Sequence, residues 1–96
     1  MSSVVHYRFK ASKEVHSVNF SGMFIKAFDL KVAIVEQRNM HKGLDFDLEI
    51  KNSTSSEVYG SDMAMIPKNA TVVVRRIPPP GKHNGLLARI QAATEL

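Results

Sequence analysis

Ninety-six residues, 44% hydrophobic and 23% charged, have the length and make-up of one small folded domain, which buries only about 60–65% of its unfolded surface. The chain has no cysteine, which excludes disulfides, thiol catalysis and thiolate metal sites within it, and no apolar run approaches the roughly 18–20 residues of a membrane helix. Thirteen Lys and Arg against nine Asp and Glu leave a formal charge of +4, an excess that permits an acidic or nucleic-acid partner without requiring one.

Val5-His6-Tyr7-Arg8-Phe9-Lys10 alternates apolar and polar residues. It predicts a half-buried strand with Val5, Tyr7 and Phe9 inward and His6, Arg8 and Lys10 outward. Ala11-Ser12-Lys13-Glu14 is a polar turn, and alternation resumes in His16-Ser17-Val18-Asn19-Phe20 before Ser21-Gly22 ends the run. Two strands so close together predict an antiparallel hairpin.

The period then changes. Residues 27–41 contain neither Gly nor Pro, and Leu30, Ala33, Ile34 and Gln37 fall on one helical face. Asp29 in the first turn and Arg38, His41 and Lys42 near the end suit the helix dipole. Gly43 is the expected left-handed terminator. Lys26, at the expected N-cap, cannot accept a hydrogen bond from the first helical amides.

Phe46-Asp47-Leu48-Glu49-Ile50 predicts a third strand, Asn52-Ser53-Thr54-Ser55-Ser56 a loop, and Glu57-Val58-Tyr59 a short fourth strand. Ile66-Pro67-Lys68-Asn69 is read as a turn into Thr71-Val72-Val73-Val74-Arg75-Arg76-Ile77. Three consecutive valines suit a central strand, and Pro78-Pro79-Pro80-Gly81 ends it. Beyond a linker-like stretch, Leu86, Leu87, Ile90 and Ala93 form a short amphipathic stripe. A helix of that length is marginal alone, so it either docks or frays.

A hairpin, a helix, a strand, a short strand and a central strand, in that order, predict an α+β fold. The expected architecture is a ubiquitin-like β-grasp, a mixed sheet with one main helix packed on one face. Ala64-Met65-Ile66-Pro67-Lys68-Asn69-Ala70-Thr71-Val72 resembles the Tyr-Asn-Ile-Gln-Lys-Glu-Ser-Thr-Leu segment of ubiquitin, and residues 25–34 resemble the start of its helix. A narrower likeness is carried by Val5-His6-Tyr7-Arg8-Phe9-Lys10, Phe20-Ser21-Gly22, Asp29-Leu30-Lys31 and Asp47-Leu48-Glu49-Ile50 with Asn52. Glu57 with Tyr59, and Ile66-Pro67-Lys68-Asn69 leading to Val74-Arg75-Arg76-Ile77-Pro78, complete it. In this order and spacing they resemble the DWNN domain over residues 4–78, leaving 79–96 as a proline-containing linker and a short tail with helical spacing. The Asp-Trp-Asn-Asn signature is absent, since the chain has no Trp.

The resemblance implies a non-catalytic, ubiquitin-like N-terminal module of retinoblastoma-binding-type RING ubiquitin ligases, which act in nuclear pre-mRNA 3′-end cleavage and polyadenylation. There the module docks on the metallo-β-lactamase-type endonuclease of the cleavage factor. No cofactor is expected in this chain; zinc is expected only in a zinc knuckle and RING farther along a longer parent. Two alternatives stay open, a ubiquitin-like interaction domain of another pathway and a free-standing modifier. The proline-stiffened exit, with a single Gly81, disfavours the modifier.

The site arguments point the same way. His6, His16, His41 and His83 show no metal-ligand spacing, no serine sits in a nucleophile elbow, and no Gly-rich phosphate loop occurs. No catalytic, cofactor-binding or metal residue is therefore expected. Alignment with ubiquitin puts Glu49 and Arg75 where its apolar recognition patch lies, with Val73 between them. Receptors that select an apolar patch should reject that surface. In a β-grasp sheet, Phe9, Lys10, Asp45, Arg75, Arg76 and Pro78 gather toward one rim, combining an aromatic anchor with a charged surround suited to a protein partner. Asp45 could instead pair internally with Arg76. Arg75, Arg76, Lys82, His83 and Arg89 lack interleaved aromatics, so RNA contact should be weak or absent. Membrane contact is not expected, and the isolated domain should be a monomer.

Overall fold

The computed structural model describes residues 2–40, 46–78 and 85–94. In chain order they form β1 (Ser2–Phe9), β2 (His16–Ser21), β3 (Phe24–Lys26), α1 (Ala27–Gln37), β4 (Asp47–Asn52), β5 (Met65–Pro67), β6 (Thr71–Ile77) and α2 (Leu86–Thr94). Four strands make one sheet in the order β2-β1-β6-β4. β1 and β6 run parallel, and the other neighbours antiparallel. The valine-rich β6 is thus central, and the fold is the expected α+β, ubiquitin-like one.

Alternation does the sorting. Val5 and Tyr7 of β1, Leu48 and Ile50 of β4, and Val72 and Val74 of β6 share one buried cluster with Leu30, Ile34 and Val35 of α1. Each such fully buried aliphatic side chain contributes about 1.5–3 kcal/mol. The Tyr7 hydroxyl is satisfied in turn, donating to Gln37 Oε1 at 2.6 Å. Burial pushes the Tyr7 phenol above its ordinary range, although the nearby Arg38 charge works the other way.

Three local expectations are corrected. The helix ends at Gln37, and the left-handed residue is Asn39 at φ 53°, not Gly43, which lies outside the described residues along with His41 and Lys42. Asn39 N–H donates to Glu36 O and Met40 N–H to Val35 O, the paired bonds that close a helix around a left-handed residue. No basic residue lies in the last turn; Arg38 is the C-cap itself.

Met65–Pro67 is not a turn but strand β5, paired with the short β3, so only Lys68 and Asn69 turn the chain. The core demands it: Ile25 and Ile66 lie opposite one another and both are buried. Glu57-Val58-Tyr59, expected as a strand, makes a single bridge between Val58 and Lys51. Asn52 Oδ1 accepts the amides of Thr54 and Ser55, so the chain bends back too tightly to extend the ladder, and Val58 stays exposed.

The stripe near the C-terminus forms α2 and packs on the domain. Leu86 is fully buried, its N–H donates to Phe46 O at 2.6 Å, and Leu87 and Ile90 pack against the core.

Candidate docking surface

Strand ends build the rim. Phe9 closes β1 opposite Val74 of the parallel β6, half-buried, with its ring edge-on to Tyr7. Lys10 follows, exposed, its N–H donating to Val74 O at 2.9 Å. Arg76 lies opposite Leu48 and therefore on the core-facing side of β6. There its guanidinium carbon sits 4.4 Å from the centroid of the Phe46 ring, a cation–π contact. Arg75, one residue earlier, points to the opposite face, where its Nη2 reaches Glu49 Oε2 at 3.0 Å. Both members of that pair are solvated, so it contributes only about 0–1 kcal/mol.

Phe9, Lys10, Arg75 and Arg76, with Ala11 and Val74, line one shallow groove of about 340 Å³. Pro78 is exposed just beyond β6. Asp45 lies outside the described residues. Strand parity thus divides the expected set: Phe9 and Arg76 occupy the end of the core face, whereas Arg75 also belongs to the open face. Glu49 and Arg75 pair across β4 and β6, so this part of the open face is charged.

Phe46 as the support beneath Arg76 escaped sequence reasoning, because its place in an alternating run marked it only as core. So did an ionic cluster behind it. Lys31 of α1, 5% exposed, donates to Asp47 Oδ1 at 3.3 Å and to Asp62 Oδ1 at 3.0 Å. Arg89 of α2 donates to Asp47 Oδ1 at 3.1 Å and to Asp62 Oδ2 at 2.9 Å. Burial alone would raise the Asp47 carboxyl. Hydrogen bonds from Arg89 and the Leu48 amide, with the charges of Lys31 and Arg89, instead hold it below the usual carboxylate range. Arg89 is correspondingly raised: desolvation opposes its charge, but Asp47 and Asp62 outweigh it. Strict alternation would have turned Asp47 outward, and no local pattern joins it to Arg89.

At the other end of the sheet, where β5 leads into β6, Met23, Phe24, Met63 and Met65 are exposed. Among the described residues no group of three His, Asp or Glu side chains could hold a metal ion, and no helix is long and apolar enough to cross a membrane.

The DWNN domain family matches residues 5–78. The chain belongs to the DWNN domain family. This DWNN domain is 43% identical over 76 residues to the human E3 ubiquitin-protein ligase RBBP6 and 37% identical over 78 residues to Protein MPE1 of Saccharomyces cerevisiae. It is 39% identical over 90 residues to an uncharacterized RING finger protein of Schizosaccharomyces pombe. These alignments take in 79%, 81% and 93% of the chain but only 4%, 18% and 19% of the respective relatives. The DWNN domain therefore spans less than a fifth of the length of each. The family match includes the rim residues and stops at Pro78, whereas α2 lies beyond it.

Proposed function

We propose that this DWNN domain is a non-enzymatic docking module of a nuclear pre-mRNA 3′-end cleavage and polyadenylation subunit that is also a RING-type ubiquitin ligase. In this reading it binds the metallo-β-lactamase-type endonuclease through Phe9, Lys10, Asp45, Arg75, Arg76 and Pro78. The observation that carries the reading is the placement of Phe9 and Arg76 on one groove at the end of the core face, the first backed by Val74 and the second by Phe46. An aromatic and an arginine, each held by packing behind it, are the residue types that dominate interface energetics. Relatives named as ubiquitin ligases and a RING finger protein support the context of a longer parent. The module places the parent protein; ubiquitin transfer belongs to the RING and RNA cleavage to the partner.

The test is co-purification of the domain with the isolated endonuclease. Arg76→Glu, an exposed position, should weaken binding at least about tenfold while leaving the melting temperature close to wild type. Undiminished binding by a folded Arg76→Glu variant would refute the reading.

A further inference from the structure

The open face of the sheet, opposite α1, carries a second feature distinct from the rim. Strand register sets Arg8 of β1, Val73 of β6 and Lys51 of β4 in one row. Arg75 and Glu49 form the next row, with Lys10 just past the end of β1. Together these side chains line a groove of about 430 Å³, with four cations against one carboxylate. Among the described residues only Arg75 of these four has an acidic partner; Lys10 and Lys51 have no ion pair, and Arg8 Nη1 donates to the neutral Ser12 carbonyl at 2.9 Å. The fold thus gathers like charges on one face and leaves most of them unneutralised, at a cost in self-repulsion that an anionic ligand would relieve.

We propose that this groove binds an extended acidic peptide segment with carboxylates two residues apart. The spacing matches. Alternate side chains of an extended peptide recur every ~6.6 Å, the same interval that separates the two rows, and adjacent strands lie about 4.8 Å apart. Carboxylates at positions i and i+2 of the peptide therefore meet Arg8 or Lys51 in one row and Lys10 in the next. The middle of the groove is Val73, half-buried and apolar, which accommodates the aliphatic parts of the peptide. RNA fits less well. No aromatic ring lines the groove, Tyr7 faces the core and Phe9 the rim, and bases would find nothing to stack on.

Lys10 and Arg75 are shared with the rim, so the deciding variants lie off it. Fluorescence anisotropy of a labelled Glu-Thr repeat peptide is measured with the folded chain at low and physiological salt. A Gln-Thr repeat and an oligouridylate serve as competitors. The Glu-Thr peptide should bind in a salt-dependent way, and the Gln-Thr peptide should not. Lys51→Glu, which swaps one attraction for one repulsion, should weaken binding about tenfold. Glu49→Gln should tighten it, and Arg76→Glu should change it by less than about twofold, because that side chain lies on the other face. No peptide binding, oligouridylate binding as tight as the peptide's, or loss with Arg76→Glu but not with Lys51→Glu would each overturn the proposal. Endonuclease docking is read separately through Arg76, so either proposal can fail while the other stands.

Discussion

Arg89 Nη2 lies 3.1 Å from Asp47 Oδ1, and this bond ties the last helix to the strand that supports the rim. The same carboxylate oxygen receives Lys31 of α1 and the Leu48 amide. One turn from Arg89, the Leu86 amide is bonded to Phe46 O, and the Phe46 ring carries the Arg76 guanidinium. A continuous set of contacts therefore joins α2, through Phe46 and Asp47, to the proposed docking surface.

Removing the carboxylate should loosen that connection. Asp47→Ala leaves Lys31 and Arg89 to share Asp62. Breaking a buried pair costs about 3–5 kcal/mol, and partial solvation of Arg89 brings the expected loss to about 2 kcal/mol. Urea unfolding measures it. Hydrogen exchange at the Leu86 amide should accelerate more than at the β6 amides, because α2 is released before the sheet opens.

The same group makes stability sensitive to acid. The folded-state pKa of Asp47 lies below its ordinary value of 3.8, so the ionised form is favoured by folding. Its contribution is complete well above that value and is lost as pH falls through the depressed folded one. Thermal unfolding should therefore show little change from this group between about pH 5 and 7 and a decline below about pH 4. Asp47→Asn should be less stable at neutral pH and show a shallower acid decline; an equally steep decline would assign the acid sensitivity to other carboxylates.

A better N-cap on α1 should gain little. Lys26 makes no side-chain cap, yet the Ala27 amide donates to Ala64 O at 2.8 Å and the Phe28 amide to Asp62 O at 3.0 Å. Ser or Asp at an empty N-cap is ordinarily worth about 0.5–2 kcal/mol. With those two amides already bonded, Lys26→Ser should add less than about 0.5 kcal/mol, measured by urea unfolding. A larger gain would mean that the loop carbonyls satisfy the helix poorly.

Legibility followed the range of the interactions. β1, β2 and β4 were readable because each alternates over five or more residues, and burial on one face enforces that alternation locally; β6 was readable from its run of three valines. β3 and β5, three residues each, hold too little pattern and exist because Ile25 and Ile66 meet across them. That Phe9 and Arg76 share a groove was readable, because β1 runs parallel to β6 and stops opposite Val74, two residues before Arg76. The Phe46 ring beneath Arg76 was not, since it depends on how the chain enters β4.

By itself the sequence determined the strand faces, the helical stripe, the central place of β6 and the absence of cysteine chemistry. These depend on residue type and short periodicities, which survive in a linear reading. Tertiary structure alone decided what completes the polar groups: Asp62 and Ala64 carbonyls cap α1, Asp47 and Asp62 neutralise Lys31 and Arg89, and Glu49 answers Arg75. Hydrogen bonds and ion pairs need angstrom-scale approach between groups far apart in the chain, and only packing brings them that close.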